Sequence, residues 1–316
     1  MAGQVWSVND LGGYMYSDQL SNYLRMQLTP MMRYRNFCDI QEAIGYGKGE
    51  NFNWNIYGDL KDDGGELKEN EAIGETSFSI SQATLKITEY GNSVPFTKKL
   101  DDLSKHPAQE VIKKNLKRSC AKVLDKEAHK KFAETLVKVC PTGGNDADSV
   151  AITEDGTASA KNDAALSLTH VKEIIDEMKE RDIPGYENDD YFAIGRPRTF
   201  RPFKNELEKV YQYTESGMRR LYLGEIGQYD GMRFVEQTNV ANQGWSNKKS
   251  DEVFFMGADT VVEAIVEFEQ IRGKIPTDYG RSKGIAWYYL GGFGISHNNP
   301  DNPSQNRILH WTSKEA

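Results

Sequence analysis

Histidine transfers protons and binds metal ions readily near neutral pH, so the five histidines are the first candidates for chemistry. They are scattered along the chain, and no two of them lie at the spacing of a metal site. Glu127-Ala128-His129 occupies one turn of a predicted helix and lacks the second histidine of an HExxH set. The pattern therefore predicts solvated or hydrogen-bonded surface histidines: His106, His129, His170, His297 and His310.

Carboxylates could also supply acid–base chemistry, and one dense group is Glu187-Asn188-Asp189-Asp190. Its oxygens could bind a cation or act as a carboxylate pair, but a calcium loop needs more regular spacing, so a solvated loop is favoured. No GxxxxGK(S/T) phosphate loop and no GxSxG nucleophile elbow occurs in the sequence. The sequence therefore predicts no catalytic residue, no cofactor and no metal ion, and the protein is not expected to be an enzyme.

Consecutive aromatic residues near the C-terminus have two interpretations. Trp287, Tyr288 and Tyr289 could stack on nucleic-acid bases. Aromatic residues within an apolar run are also typical of a strand that packs its rings inside a sheet, and this structural interpretation is favoured.

Charge and cysteine content narrow the class of protein. The 316-residue chain has a formal net charge of −8 and a pI near 5.3, which argues against a whole surface that wraps nucleic acid, although a local basic stripe remains compatible. Cys38, Cys120 and Cys140 form an odd, widely spaced set, as expected of buried thiols in a reducing compartment. The sequence shows no signal peptide and no apolar run of ~18–20 residues, so a soluble protein with no membrane partner is expected.

A long polar β segment lies in the first third of the chain. Phe52, Trp54 and Ile56 alternate as a first strand, and the stretch ETSFSISQATLKITEYGNSVPFTKKL returns as a second. The parity of its apolar residues shifts between Ile80 and Ala83, which predicts a bulge or kink at that point.

The two strands are predicted to form one hairpin over residues 50–97 with an acidic tip. Residues 59–75 contain seven Asp or Glu against two Lys and are typical of a solvated loop. Neither strand has an apolar face wide enough for a core, and two strands alone are marginal in water. The hairpin therefore needs a further surface, which either the rest of the chain or a neighbouring copy must supply.

The most basic part of the chain is a predicted helix that starts at Pro107 and runs to about Lys138. Apolar residues recur at helical spacing without interruption, so about 30 residues should form a rod of ~45 Å. The mean globular helix has only ~11–12 residues. The segment contains nine Lys or Arg against four Asp or Glu.

The remaining sequence contains both helices and strands, and an α+β protein is expected. A helical pattern from about Ser17 is ended by Pro30, and another follows a cap at Ser167 or Thr169 and stops at Ile183. Strands are predicted within YFAIGRP, GEIGQYDGMRFVEQTN, DEVFFMGADTVVEAIVEF and GIAWYYLGGFGIS, and a short helix within RPFKNELEKVYQYT.

The order of these elements carries more information than any motif. An N-terminal arm, a long hairpin, a long basic helix, a mixed α/β region and late hydrophobic strands follow one another over nearly the whole chain. This order resembles the major capsid proteins of tailed bacteriophages, in the fold named after phage Hong Kong 97. The stretches that carry the resemblance are GKGENFNWNIYGDL, ETSFSISQATLKITEYGNSVPFTKKLDDLS, GEIGQYDGMRFVEQTN and KIPTDYGRSKGIAWYYLGGFGI. The last departs from the commoner coat-protein pattern, because Tyr279 stands where a proline often follows the aspartate.

The resemblance implies a division of the chain into five regions. They are an N-terminal arm over residues 1–44, an extended β-hairpin called the E-loop over 45–100, a spine helix and peripheral domain over 101–139, an axial α/β domain over 140–250, and a return into the peripheral sheet with C-terminal strands over 251–316.

The resemblance also implies a function. Capsid proteins of this kind are structural: they assemble as hexamers and pentamers into an icosahedral shell that encloses double-stranded DNA, within the virion. Assembly in the host cytoplasm, with a separate scaffolding protein and a portal protein as further partners, is expected. A nanocompartment shell of the encapsulin type and an acidic hydrolase with Asp/Glu pairs remain alternatives.

Under this resemblance, the polar hairpin lies across an adjacent copy, and its acidic tip faces the basic spine helix. The alternative is that the spine lysines face solvent or packaged DNA. Hairpin residues expected at the contact between subunits are Trp54, Asp59, Asp62, Asp63, Glu66, Phe78, Ile80, Leu85 and Ile87. The expected basic face of the spine helix comprises Lys113, Lys117, Arg118, Lys122, Lys126 and Lys130.

Overall fold

The computed structural model shows an α+β fold built on two sheets and a separate two-stranded hairpin. The strands, β1 to β13 in chain order, are Cys38–Gln41, Asn51–Leu60, Phe78–Lys86, Thr88–Thr97, Lys138–Pro141, Val150–Thr153, Tyr191–Gly195, Gln228–Tyr229, Met232–Glu236, Val253–Met256, Val261–Gly273, Ser282–Ile295 and Ile308–Trp311. The helices, α1 to α4, are Lys98–Leu103, Ala108–Ala133, Leu168–Glu180 and Arg201–Tyr211. The residues that the structure describes are 30, 32–41, 49–60, 65–66, 69, 72–142, 149–158, 164–186, 189–211, 228–239, 252–275, 278–297 and 305–312.

The first sheet has four strands in the order β1-β11-β12-β4. β1 runs parallel to β11, and the other neighbours are antiparallel. Alternate residues of β12, Ile285, Trp287 and Tyr289, are buried in the same core as helix α2. The predicted strand within GIAWYYLGGFGIS is thereby confirmed, and the aromatic residues Trp287 and Tyr289 pack inside the protein as the structural interpretation proposed.

Helix α2 buries one residue in every four along its length. A four-residue step exceeds one helical turn by about 40°, so the buried stripe winds slowly around the helix and meets different elements. It packs on β4, β11 and β12 and reaches β13. The members of the stripe are Ala108, Ile112, Leu116, Cys120, Leu124, Ala128 and Phe132.

The C-terminal end of this helix differs from the sequence-based expectation. The helix begins beside Pro107, which is its N-cap and not part of its first turn as expected, and it ends at Ala133, not near Lys138. The helix ends early because of a tertiary contact: residues 138–141 form strand β5, which pairs with β13 and β6.

The observed hairpin is also shorter than the one that the sequence predicted. β2 and β3 pair antiparallel from Asn51↔Lys86 to Leu60↔Phe78, and they form a two-stranded sheet of their own. The chain then turns at Ile87, and β4 joins the four-stranded sheet by pairing with β12 over ten residue pairs. The expectation of one hairpin over residues 50–97 is therefore wrong for the part after Lys86.

The β-bulge that the sequence predicted between Ile80 and Ala83 is not at that position. The register is continuous from Ile80 to Ala83, so the parity shift in the sequence does not produce a bulge there. The register shift occurs in the opposite strand, between Tyr57 and Leu60. The apolar residues change parity because Phe78 and Ile80 lie on an exposed face of β3, whereas Ala83 and Leu85 lie on the other face, which becomes buried toward Leu85.

The second sheet has seven strands in the order β6-β5-β13-β10-β7-β9-β8, with α3 and α4 beside it. The Ser167 side chain caps α3 as expected. β10 and β13 come from the C-terminal region, so residues 251–316 contribute to both sheets. The predicted arm helix between Ser17 and Pro30 lies almost wholly outside the described residues. The end of the predicted arm is part of the body, because Tyr34–Phe37 forms a 3₁₀ turn and β1 pairs with β11.

Candidate functional site

The histidines do not form a reaction centre in the part of the chain that the structure describes, and no group of three or more His, Cys, Asp or Glu there could hold a metal ion. The expectation of surface positions is wrong for His129, His170 and His310, which are buried. The His170 side chain accepts from the Ser167 backbone N–H in the capping box of α3, at 3.1 Å. His129 and His310 belong to a buried cluster of charged residues.

This cluster lies where α2 meets the seven-stranded sheet. Glu252 Oε1 lies 3.1 Å from His310 Nε2, and Glu252 Oε2 lies 3.5 Å from His129 Nε2. His310 Nδ1 lies 2.7 Å from Lys138 Nζ, which also donates to the carbonyl oxygen of Ala133. Because Lys138 can only donate, His310 Nδ1 is the acceptor, and its Nε2 carries the proton that faces Glu252.

The protein environment shifts the pKa of each of these groups. Burial lowers the pKa of Lys138 to about 8 and also lowers the pKa of His310. Burial opposes the charge of Glu252 as well, but the two neighbouring imidazoles hold its pKa well below the usual range. The cluster is enclosed by protein, and Phe254 stacks on His310 at 4.5 Å. It therefore serves to join α2, β5, β10 and β13.

Asp125 is a second buried carboxylate that joins distant parts of the chain. Its Oδ1 accepts a hydrogen bond from the backbone N–H of Tyr34 at 2.8 Å. Its Oδ2 accepts from Gln237 Nε2 at 2.7 Å and from Asn239 Nδ2 at 2.9 Å. The segment before β1 and the segment after β9 are thus fixed to the same turn of α2.

The acidic group that the sequence singled out is partly described. Asp190 is buried and accepts hydrogen bonds from Arg233 Nε at 2.8 Å and from Gln228 Nε2 at 2.5 Å. Glu187 and Asn188 lie outside the described residues. Asp190 therefore fixes the turn between β8 and β9 and is not part of a solvated loop.

The root of the hairpin packs on its own chain. Leu85 is 1% exposed and lies against Gly292 and Gly294 of β12, and Trp54 Nε1 donates to the Ser296 carbonyl oxygen at 3.1 Å. Ile87 is buried in the same small core. The expectation that Leu85 and Ile87 contact a neighbouring subunit therefore needs correction, because their side chains are already covered.

The sequence contained a signal for this contact that composition alone did not reveal. A Cβ atom at Gly292 would collide with the backbone of Lys86, so only glycine allows β3 to approach β12 so closely. Glycines inside an apolar strand often mark such an approach. The GGFG stretch was therefore the feature from which the docking of the hairpin root could have been predicted.

The outer half of the hairpin is uncovered. Tyr57 and Ile80 are directly opposite each other in the register, and the ring centroids of Tyr57 and Phe78 are 6.5 Å apart. Their exposed fractions are 66% for Tyr57, 58% for Ile80 and 52% for Phe78, and Leu60 beside them is also exposed. These four residues, Tyr57, Leu60, Phe78 and Ile80, form the outer apolar patch.

Only part of the acidic tip lies within the described residues. Glu66 is exposed. Asp62 and Asp63 lie outside the described residues, and so does the side chain of Asp59. Their expected contact with a basic helix stays a prediction.

The basic residues of α2 form two rows, not one face. At about 100° per residue, Lys113 and Lys117 fall in one row, and a second row that starts at Arg118 lies about 100° further around the helix. The first, the side row, flanks the buried stripe, and the second, the outer row, lies opposite it. All the lysines named here are exposed, and Lys130 also pairs with Glu127 in its own helix. The outer row consists of Arg118, Lys122, Lys126 and Lys130.

Across the described residues, no helix combines the length and the apolar composition needed to cross a bilayer.

Comparison with known proteins gives no match by sequence and many by structure. No protein-family model and no curated protein sequence matches the chain. The capsid of cyanophage P-SCSP1u matches with a TM-score of 0.66 and 11% identity over 96% of this chain and 94% of that chain. The capsid of Ralstonia phage GP4 matches with a TM-score of 0.66 and 12% identity over 99% of both chains. The capsid of cyanophage Pam1 matches with a TM-score of 0.59 and 16% identity over 98% and 99%.

At these identities the likeness establishes the fold alone. This chain therefore has the mixed α+β fold of the phage capsid structures that it matches.

Proposed function

We propose that this chain is a major capsid protein, which assembles as hexamers and pentamers into the icosahedral shell of a tailed phage around double-stranded DNA. The observation that carries the proposal is the match to phage capsid structures over nearly the full length of both chains. The uncovered outer half of the hairpin supports it, because an exposed apolar patch on a projecting element is typical of an interaction site. The role is structural, and no catalytic residue is assigned.

The elements correspond to parts of that shell protein. The β2–β3 hairpin, within residues 45–100, is the E-loop, and α2 is the spine helix of the peripheral domain over 101–139. The seven-stranded sheet forms the axial domain over 140–250, extended by β10 and β13. Residues 251–316 otherwise return to the four-stranded sheet through β11 and β12.

The hairpin holds an adjacent copy mainly through its outer apolar patch. Full burial of a large apolar side chain contributes about 1.5–3 kcal/mol, whereas an exposed ion pair contributes about 0–1 kcal/mol. The four residues of the patch therefore outweigh the charges of the acidic tip. The acidic tip and the side row set the register of the contact, and repetition around a shell multiplies both effects.

The remaining partners follow from this role. A separate scaffolding protein directs assembly, a portal protein occupies one vertex, and the shell is assembled in the host cytoplasm and becomes part of the virion. The outer row of α2, which lies opposite the buried stripe, is available to packaged DNA.

Size-exclusion chromatography with negative-stain microscopy tests the proposal. The purified chain should form closed particles of uniform size. A soluble monomer or small oligomer would instead favour the acidic hydrolase and would reject the shell. Particles from the native source should contain double-stranded DNA, whereas hollow particles filled with a protein cargo would indicate a nanocompartment.

A further inference from the structure

A histidine lies beneath the hairpin strand that contacts its own subunit. An open cavity of about 190 Å³ lies between β2 and the body of the chain, and Ile56 and Tyr57 form its hairpin wall. His297, just after β12, and Arg307, directly before β13, form part of the opposite wall. The His297 side chain keeps 16% of its surface exposed, so water and protons can reach the imidazole through the cavity.

The hydrogen bonds of His297 fix its protonation state. Arg307 Nη2 lies 3.2 Å from His297 Nε2, and a guanidinium can only donate, so Nε2 is the acceptor. The proton of the neutral ring is then on Nδ1, which lies 2.8 Å from Ser296 Oγ and donates to it. Ser296 Oγ in turn donates to Asp259 Oδ1 at 3.0 Å. These four residues form the His297 network, and its contact with Arg307 exists only while the imidazole is neutral.

Ser296 connects this network to the root of the hairpin. Its carbonyl oxygen accepts from Trp54 Nε1 of β2 at 3.1 Å, and its backbone N–H donates to the Thr260 carbonyl oxygen at 2.8 Å. The Trp54 indole also lies against Gly294 of β12. A movement of His297 would therefore shift the residue from which Trp54 obtains its hydrogen-bond acceptor.

The charges nearest to His297 oppose its protonation. Arg307 is the nearest cation, and its own counter-ion is Asp259, at 3.1 Å. Asp259 Oδ2 lies 3.8 Å from His297 Nδ1, too far for a hydrogen bond, so it offsets only part of the repulsion between two cations. The guanidinium of Arg181 is held by Glu154 and Glu177. The further titratable groups around the cavity are Asp39 of β1, Tyr57 of β2, and Arg181 and Asp182 after α3.

We propose that His297 makes the attachment of the hairpin to its own subunit depend on pH. While the imidazole is neutral, the His297 network holds Ser296 in place for Trp54, and the root of the hairpin is locked. Protonation puts an N–H group on Nε2 opposite Arg307, so the ring leaves this contact and turns into the cavity below β2. The root of the hairpin is then loosened while the rest of the subunit stays folded. This behaviour belongs to the single subunit and does not depend on the proposed function.

The direction of the effect follows from proton linkage. Burial and the neighbouring Arg307 lower the pKa of His297 in the locked state, so the unlocked state binds more protons below the ordinary histidine pKa of ~6.5. The lock is therefore complete above pH ~6.5 and weakens as the pH falls toward 5. If the locked state binds no proton, opening becomes about 25-fold more frequent between pH 7 and pH 5, which is the upper limit for one histidine.

Hydrogen–deuterium exchange of unassembled subunits tests the lock, after correction for the intrinsic pH dependence of amide exchange. In the wild type, peptides from β2 and β3 should lose protection several-fold between pH 7 and pH 5, with a midpoint below pH ~6.5. The variant His297→Gln keeps an oxygen acceptor for Arg307 but cannot be protonated. Its β2 and β3 peptides should show the same protection at both pH values, while peptides from β10 and β13 keep the pH dependence of the wild type.

The matched control is His310→Gln, which changes a buried histidine far from the cavity wall and should leave the pH dependence of the hairpin peptides intact. Equal protection of the hairpin at pH 7 and pH 5 in the wild type would overturn the inference without any variant. So would a His297→Gln subunit whose hairpin still loosens in acid. If His310→Gln abolishes the pH dependence of the hairpin, the hairpin follows the buried cluster around Glu252, and His297 is not the switch.

Discussion

At the scale of single residues, buried charge joins helix α2 to the seven-stranded sheet. Glu252, His129, His310 and Lys138 come from four different parts of the chain and meet in one enclosed site. Removing one member of a buried charged pair leaves its partner uncompensated, which costs about 3–5 kcal/mol. The cluster therefore makes the junction between α2 and the seven-stranded sheet sensitive to protonation.

Acid should weaken the fold through His310. Its pKa in the folded state is lowered by burial, so the unfolded state binds more protons below the ordinary histidine pKa of ~6.5. Stability should thus be full above pH ~6.5 and fall as the pH drops toward 5, because a protonated His310 would also repel Lys138. Glu252, whose pKa is depressed, adds a further loss only below pH ~4.5.

Urea unfolding of unassembled subunits at pH 7 and pH 5 measures this effect. The variant His310→Gln should be less stable at pH 7, and its free energy of unfolding should change less between the two pH values than that of the wild type. His106→Gln, at a partly exposed position, should keep the wild-type difference. An unchanged pH dependence in His310→Gln would contradict the role of the cluster.

The sequence could not predict this cluster. Its members are separated by up to 181 positions, from His129 to His310, and a scattered histidine is most often a surface residue. Only strand pairing brings them together, since β10 pairs with β13 and β13 with β5. Asp125 is similar, because its acceptor role depends on donors about 90 and 110 residues away.

At the scale of elements, the hairpin has a root that packs on its own chain and an outer half whose apolar residues are exposed. Leu85 and Ile80 lie five residues apart in the same strand, yet Leu85 is 1% exposed and Ile80 is 58% exposed. The two halves should therefore respond to substitution in different assays.

Leu85→Ala should destabilise the subunit itself by about 2–5 kcal/mol, because it empties a packed site against β12. Ile80→Ala should leave the unfolding of the subunit within about 0.5 kcal/mol of the wild type but lower the yield of particles. Urea unfolding and particle yield measure the two effects. A large loss of subunit stability in Ile80→Ala, or normal assembly of the combined variant Tyr57→Ser, Phe78→Ser and Ile80→Ser, would contradict an assembly role for the outer apolar patch.

The local pattern of apolar residues predicted which segments form helices and strands, but not which other elements they pair with. The helical spacing of apolar residues predicted α2, and the alternation around Trp54 predicted β2. The end of α2 was predicted too late, because pairing of β5 with distant strands overrides local helix preference near Lys138. The hairpin was predicted too long, because alternation does not reveal which strand β4 pairs with.

At the scale of the whole molecule, the most basic helix of an acidic chain carries its charge in two rows with different surroundings. The side row adjoins an open cavity beside Cys120, and the outer row lies opposite the buried stripe. Surface charges act over about a Debye length of ~8 Å at physiological salt, so the two rows should serve different partners.

Charge reversal of each row separates these roles. Lys113→Glu with Lys117→Glu should lower the yield of particles, because the acidic tip of the neighbour would be repelled. The matched variant Lys122→Glu with Lys126→Glu should assemble normally and retain less DNA. Particle yield and nucleic-acid content measure the difference. If the outer-row variant fails to assemble and the side-row variant assembles normally but loses DNA, the side row does not receive the hairpin.

The sequence indicated a mixed α+β fold like that of phage capsid proteins, and the structural comparisons bear out that fold. The contact between copies was not predictable in the same way. A polar hairpin needs a surface, but the sequence does not say which part of that surface its own chain provides. The glycines of β12 show the part that its own chain provides, because they allow Leu85 and Lys86 at the root of the hairpin to approach β12 closely.

A cryo-electron microscopy reconstruction of the assembled particle is the most direct test of the central claim. We expect closed shells of hexamers and pentamers in which Tyr57, Phe78 and Ile80 are covered by an adjacent copy. A reconstruction in which the hairpin's outer half lies in solvent or folds back on its own subunit would contradict the account.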